Sequence, residues 1–227
     1  ASMHYSLENP HEHRNHGMRH NPFKALVAPR PIGWIGTVSK AGVLNLAPYS
    51  YFNAVADSPP MVMFSSTGRK DSLTNVEETG EFTCSMANEA LVDGMNLSSA
   101  PVASNVDEFK LAQLATAPSL VVKPPRVAGS PSALECRLWK TLVLPRTDAT
   151  HPEHIVVLGI VVAIYIDDAF VQDGVVNTGA MRPLARMGYM DYSVVRPDTV
   201  ITLNRPVASA DKQSATVQAG PWDGVYR

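Results

Sequence analysis

The segment "FSSTGRKDSLTN", residues 64–75, gathers side chains suited to holding an anion. Gly68 permits a tight turn, Arg69 and Lys70 supply charge, and Ser66, Thr67, Ser72 and Thr74 supply hydroxyl donors. Asp71 reads as the N-cap of a helix, "DSLTNVEET", that Gly80 closes. A strand end, a loop and a helix start in that order form a general phosphate-binding device. The first-turn N–H groups lack acceptors there, and the helix dipole favours negative charge. The segment is not a P-loop, because Met63 stands where the first glycine belongs and Arg69 separates Gly68 from Lys70. On these residues alone two readings stand, a phosphate anchor and a solvated, well-capped turn.

A second constellation occupies residues 29–60, where Trp34, Tyr49, Tyr51 and Phe52 are interleaved with Gly33, Gly36, Thr37, Ala47 and Ser50. Small residues let a flat ligand approach the backbone, and Asn45 and Asn53 offer both donors and acceptors to a heterocycle. An ordinary core hairpin with aromatic packing explains the same residues. His154 opens the apolar run "HIVVLG", where it reads either as a ligand contact or as a structural strand-start histidine. The N-terminal His11, His13, His16 and His20 match no zinc-ligand spacing, so no metal site is expected.

These residues need a scaffold, and the composition bounds it. The 227 residues suit one domain with a sizeable core, or one domain with a tail. A formal net charge of −2 offers no bulk attraction to nucleic acid or to an anionic membrane. Only 18% of residues are charged, which leaves room for a surface covered by a subunit or a ligand. The longest apolar run, residues 155–166, falls short of the ~20 residues a membrane helix needs. Cys84 and Cys136 sit in apolar runs without a CxxC partner and read as buried thiols of a reducing, cytoplasmic compartment. No secretory signal is recognised at the N-terminus.

Strand-like runs dominate. "PIGWIGTVS" and "VLNLA" flank a turn at Lys40-Ala41-Gly42 and predict a hairpin. "PPMVMFSS", "EFTCSMA", "SALECRLWKTLVL" and "HIVVLGIVVAIYI" predict further strands, the last one buried on both faces. Helices are expected at 71–79, after an Asn88 cap, and over "VDEFKLAQLA", 106–115. Without βαβ alternation, a mainly β barrel with short helical insertions is the expected architecture.

Taken together, the segments "APRPIGWIGTVSKAGVLNLAPYSYFNAVADSPPMVMFS", "RKDSLTNVEETGEF", "NVDEF", "LECRL", "HIVVLGIVV" and "LARMGYMDY" resemble the flavin reductase-like family with the FMN-binding split-barrel fold. The resemblance spans about residues 17–195. It implies a homodimer of Greek-key barrels with FMN near the subunit interface. The domain would cover 21–195, between an N-terminal arm, 1–20, and a C-terminal tail, 196–227, that wraps the partner subunit. By the same resemblance the phosphate would rest against Ser66, Arg69, Lys70, Ser72 and Asn75. The isoalloxazine ring would lie along Trp34, Ile35, Gly36 and Thr37 and along Asn45, Ala47, Pro48, Tyr49, Ser50 and Asn53. Arg186 would reach the ligand or the partner subunit, and His154 would touch the nicotinamide nucleotide. Short reductases of the family carry Gly-Asp before that histidine, where this chain has Pro152-Glu153. The implied activity is hydride transfer from NAD(P)H to flavin N5, with electrons passed to a small-molecule or protein acceptor. A flavoredoxin-like electron carrier and a non-catalytic FMN-binding protein are the alternatives.

Overall fold

A computed structural model describes residues 2–226. Its centre is a seven-stranded antiparallel sheet built from β1 (Gly33–Val38), β2 (Leu44–Tyr49), β3 (Phe52–Asp57), β4 (Pro60–Thr67), β5 (Glu81–Met86), β6 (Ser132–Val143) and β7 (His154–Ile166). The strand order is β2-β1-β5-β6-β7-β4-β3. The two outermost strands, β2 and β3, are neighbours in sequence, joined through Ser50 and Tyr51. The Tyr51 carbonyl accepts a hydrogen bond from Ser65 N–H of β4 at 2.9 Å. The sheet therefore curls until its edges meet at that junction, the split-barrel form of a mainly β fold.

The barrel interior holds Ile35, Val62, Phe64, Phe82, Cys84, Cys136, Ile155 and Val157, with Tyr49 tilted against Phe64 at 4.8 Å. Both cysteines are free and buried. A second core forms on the opposite face of β1 and β2. There Trp34, Leu46 and Ile32 pack under Met95 of helix α2 (Val92–Leu97) and Phe109 of helix α3 (Glu108–Leu111).

Helix α1 (Asp71–Thr79) sends Leu73 and Val76 into the barrel core, each side chain contributing about 1.5–3 kcal/mol by burial. Its polar positions are also held. Asn45 Nδ2 donates to Ser72 Oγ at 3.0 Å, and Asn75 Nδ2 donates to Thr37 Oγ1 at 3.0 Å. Gly80 ends the helix at φ +75°, the left-handed conformation that favours glycine. Lys70, with extended backbone, occupies the N-cap position predicted for Asp71, and Asp71 becomes the acidic residue of the first turn.

Three other expectations are corrected. The helix read over 106–115 covers only Glu108–Leu111, capped by Asp107. Gln113 turns to φ +54°, and the chain then pairs Thr116–Ala117 with Arg126–Val127. Asn88 stands at the N-cap position of the turn Glu89–Leu91 that leads into α2, but its side chain makes no capping bond, and its Nδ2 donates instead to Met181 O at 3.2 Å. In β7 the inward Ile155 and Val157 are buried, while Ile164 lies exposed rather than covered on both faces. Among the described residues no helix is long and apolar enough to cross a membrane.

Near the N-terminus, a turn at Glu12–His16 precedes the one-turn helix Phe23–Leu26. Strand β8 (Leu184–Arg186) pairs on one side with Arg30–Pro31 and on the other with β9 (Tyr192–Val194). Within 196–226, Asn204 fastens the chain by donating to the carbonyls of Gln218 and Pro221.

Candidate functional site

A cavity of about 490 Å³ opens beside the barrel seam, within the range of ~300–1,000 Å³ common for small-molecule and cofactor sites. Its first wall is the free edge of β2 and the residues after it: Asn45, Ala47, Pro48, Tyr49, Ser50 and Tyr51. Pro48 suits this edge because it has no N–H to leave unpaired. The second wall is Ser65 and Thr67 of β4, then Arg69, Lys70, and Asp71 and Ser72 of α1. The third wall is the loop 98–102 with Glu108 of α3, and Lys24 closes one side.

The chemistry concentrates at the start of α1. The first intrahelical bond runs from Thr74 N–H to Lys70 O at 3.0 Å, and the Lys70 side chain makes no capping bond. The N–H groups of residues 71–73 therefore have no helical acceptor, as the geometry of a helix start requires. Ser72 accepts from Asn45, which leaves the serine O–H free to donate.

Tyr49 is only 7% exposed, and its Oη is buried without a hydrogen-bond partner. Burial pushes its phenol pKa up. The nearby Ser72 and Ser66 hydroxyls temper that rise without meeting hydrogen-bond geometry. Tyr49, the Ser72 hydroxyl and the N–H groups of Asp71 and Ser72 thus gather at one cavity wall. Arg69 and Lys70 stand exposed beside them, with Arg69 paired to Glu77. This donor set fits a phosphate group, and the long polar-and-apolar wall of β2 fits a flat ring attached to it.

Glu108 is the counterweight. It is 5% exposed, and its Oε2 accepts from Leu46 N–H at 3.1 Å, which secures the edge strand from outside. Burial raises its pKa; the Leu46 bond lowers it, and repulsion from Asp71 and Asp107 adds to the rise.

The structure divides the residues expected to hold a ligand. Asn45, Ala47, Pro48, Tyr49, Ser50, Arg69, Lys70 and Ser72 line the cavity. Trp34, Ile35, Gly36 and Thr37 do not. Strand β1 is hydrogen-bonded to β2 along its length and to β5 over Gly33–Gly36. Its side chains are buried, with Trp34 Nε1 donating to Ser98 Oγ at 3.0 Å. Ser66 and Asn75 are buried behind the wall, where Ser66 Oγ donates to Gly68 O and Asn75 Nδ2 to Thr37 Oγ1. Asn53 is exposed on β3, its Oδ1 accepting from Ala54 N–H. Arg186 lies apart from the wall, with its guanidinium over the Tyr192 ring and bonded to the Tyr192 hydroxyl and Tyr189 O.

His154 is not among the residues that line the cavity; it adjoins two that are, Thr67 and Tyr51. It is paired in register with Thr67, its Nδ1 is 3.3 Å from Thr67 Oγ1, and its ring centroid is 6.2 Å from that of Tyr51. Lys24, the loop 98–102 and Glu108 were not singled out from sequence.

The family model described as "Flavin reductase like domain" matches residues 26–185. A protein of Aquifex aeolicus (strain VF5) is 36% identical over 173 residues, which is 74% of this chain and 85% of the relative. Among solved structures, nitrilotriacetate monooxygenase component B from Bacillus cereus aligns with a TM-score of 0.77 and 30% identity. The alignment covers 86% of this chain and 96% of that one. The 2-nitrobenzoate 2-nitroreductase NbaA of Pseudomonas fluorescens aligns with a TM-score of 0.75 and 24% identity, over 92% and 100% of the two chains, and shares the fold.

Proposed function

This chain belongs to the flavin reductase-like family, and from that premise we propose that it is an FMN-dependent oxidoreductase taking hydride from NAD(P)H. The observation that carries the reading is the socket at the start of α1. The N–H groups of Asp71 and Ser72, the Ser72 hydroxyl, Tyr49 and the exposed Arg69 and Lys70 line one cavity wall. When bound, the flavin supplies hydride acceptance at N5 and onward electron delivery. The chain's own part is binding and orientation. The α1 socket holds the phosphate, the β2 edge from Asn45 to Ser50 supports the ring, and the loop 98–102 limits water at its far side.

Replacing Arg69 and Lys70 together by Ala tests the socket. The FMN dissociation constant should rise at least tenfold, roughly the loss of one charge-assisted contact. Retention equal to that of the native chain would remove both residues from the phosphate site. Anaerobic mixing of the yellow protein with NADH and NADPH tests the hydride source, and a flavin band that neither nucleotide bleaches overturns the reductase reading.

A flavoredoxin-like carrier is the second reading, and one observation favours it. Pro152-Glu153 replaces the Gly-Asp of short reductases, and Glu153 is already engaged: its carbonyl accepts from Gly68 N–H at 2.7 Å, and its carboxylate lies 3.8 Å from Arg146. In either reading the working unit is a homodimer in the cytoplasm. The exposed Trp139 (59%), Leu142 and Val143 at one end of β6 support a covered face there. Likeness to a monooxygenase component supports delivery of electrons to a separate acceptor.

A further inference from the structure

Lys24 is the one cation on the cavity wall, among the described residues, that comes from outside the 64–75 segment. It also lies outside the residues that match the family, 26–185. Its position is nevertheless built into the fold. The buried Arg30 guanidinium donates to the carbonyls of Lys24, of Val27 at 2.6 Å and of Met187 at 3.1 Å. It therefore ties the one-turn helix Phe23–Leu26 to the chain that leaves β8. Ala25 packs directly on Gly188, where an added Cβ would fall 2.6 Å from the Ala25 Cβ and 2.9 Å from its Cα. The "LARMGY" sequence thus serves as the bed of the Lys24 turn, and Arg186 keeps to its own tyrosines.

The turn delivers Lys24 to an aromatic plate. Lys24 Nζ stands 5.8 Å from the Tyr51 ring centroid, and the His154 imidazole stands 6.2 Å from the same ring. Tyr51 follows Ser50 beyond the β2 edge, and Lys24 and Tyr51 line the same cavity as the start of α1. A phosphate monoester already has its donors at α1. A cation beside a half-exposed aromatic ring matches a different ligand, one that carries an anionic group next to a flat base.

We propose that Lys24 and Tyr51 form the docking subsite for the phosphate-bearing nucleotide half of the electron donor, with Lys24 on the phosphate and Tyr51 stacked on the base. The proposal rests on the reading of NAD(P)H as donor. It adds two binding residues, one of them brought in by a segment outside the family's matched span.

The experiment uses the full chain saturated with FMN and NADP+ as a non-reacting probe, titrated at equilibrium by calorimetry. FMN affinity is measured first by fluorescence quenching. The native chain should bind NADP+ saturably, more weakly as salt rises. Lys24→Glu and Tyr51→Ala should each weaken that binding about tenfold or more, with FMN affinity held within about twofold. Gly188→Ala shifts the turn without changing charge and should give a smaller loss in the same direction. Lys24 is exposed, so its variant tests the contact without disturbing a core. NADP+ binding by Lys24→Glu equal to that of the native chain overturns the proposal. So does a parallel fall in FMN affinity, which would assign Lys24 to the flavin. FMN uptake without any NADP+ binding overturns the subsite alone, whereas a native chain that takes up no FMN overturns the functional reading and the subsite with it.

Discussion

Tyr49→Phe separates stability from binding, because the two should move in opposite directions. The hydroxyl is buried and unpartnered in the protein without ligand, and a buried unsatisfied polar group costs about 1–3 kcal/mol. The ring itself packs in the barrel core against Phe64 and is retained by Phe. Because the Ser72 and Ser66 hydroxyls lie beside it, the lower end of that range applies, so Tyr49→Phe should stabilise the ligand-free chain by about 1 kcal/mol. In a chain of this length that raises Tm by about 2–4 °C. The same hydroxyl is a donor of the proposed phosphate socket. Its removal should therefore weaken FMN by about tenfold, or ~1.4 kcal/mol. Thermal unfolding without flavin and fluorescence titration with FMN read the two effects separately. A variant less stable than the native chain would mean that the hydroxyl already has a partner. Unchanged FMN affinity would place the phosphate elsewhere. Either result would refute the reasoning that this orphaned group awaits the ligand.

Two further outcomes test the frame around the site. Glu135 is buried, and its carboxylate gathers the N–H groups of Leu120 and Val121 at 2.6 Å each and of Val122 at 3.1 Å. Hydrogen bonds to a charged group contribute about 1.5–3 kcal/mol each and the two exposed amides recover water, so Glu135→Ala should lose about 1.5–3 kcal/mol in urea unfolding, the bond to the buried Val122 amide. A loss below about 1 kcal/mol would show that this loop is not held by the carboxylate. Glu108 gives a pH signature. Its carboxyl pKa is raised by folding above the ordinary 4.5, so the native state binds the proton more tightly than the unfolded chain does. Stability from this group is present below 4.5 and is lost as pH rises through the folded value. Glu108→Gln should therefore gain on the native chain between pH 4 and pH 7, and a constant difference across that range would sink the assignment.

Local chemistry determined the elements legible in the amino-acid order. The 71–79 helix, its Gly80 stop, the hairpin about Gly42 and the two long strands follow from periodicity and turn residues, which act within a few positions. The cavity wall formed by this segment was readable for the same reason, since strand end, cations and helix start are contiguous in 64–75. Where a strand lies in the sheet is a different kind of information. Residues 34–37 and 45–50 read alike as strands in sequence, and only the folded strand order puts β1 inside the sheet and makes β2 the edge that lines the cavity. The remaining walls come from positions far apart in sequence. Glu108 reaches Leu46 across 62 residues, and Arg30 reaches Met187 across 157 to hold the Lys24 turn. No periodicity encodes such contacts. They exist because the barrel closes and brings distant backbone donors and acceptors together, where burial requires that they be satisfied.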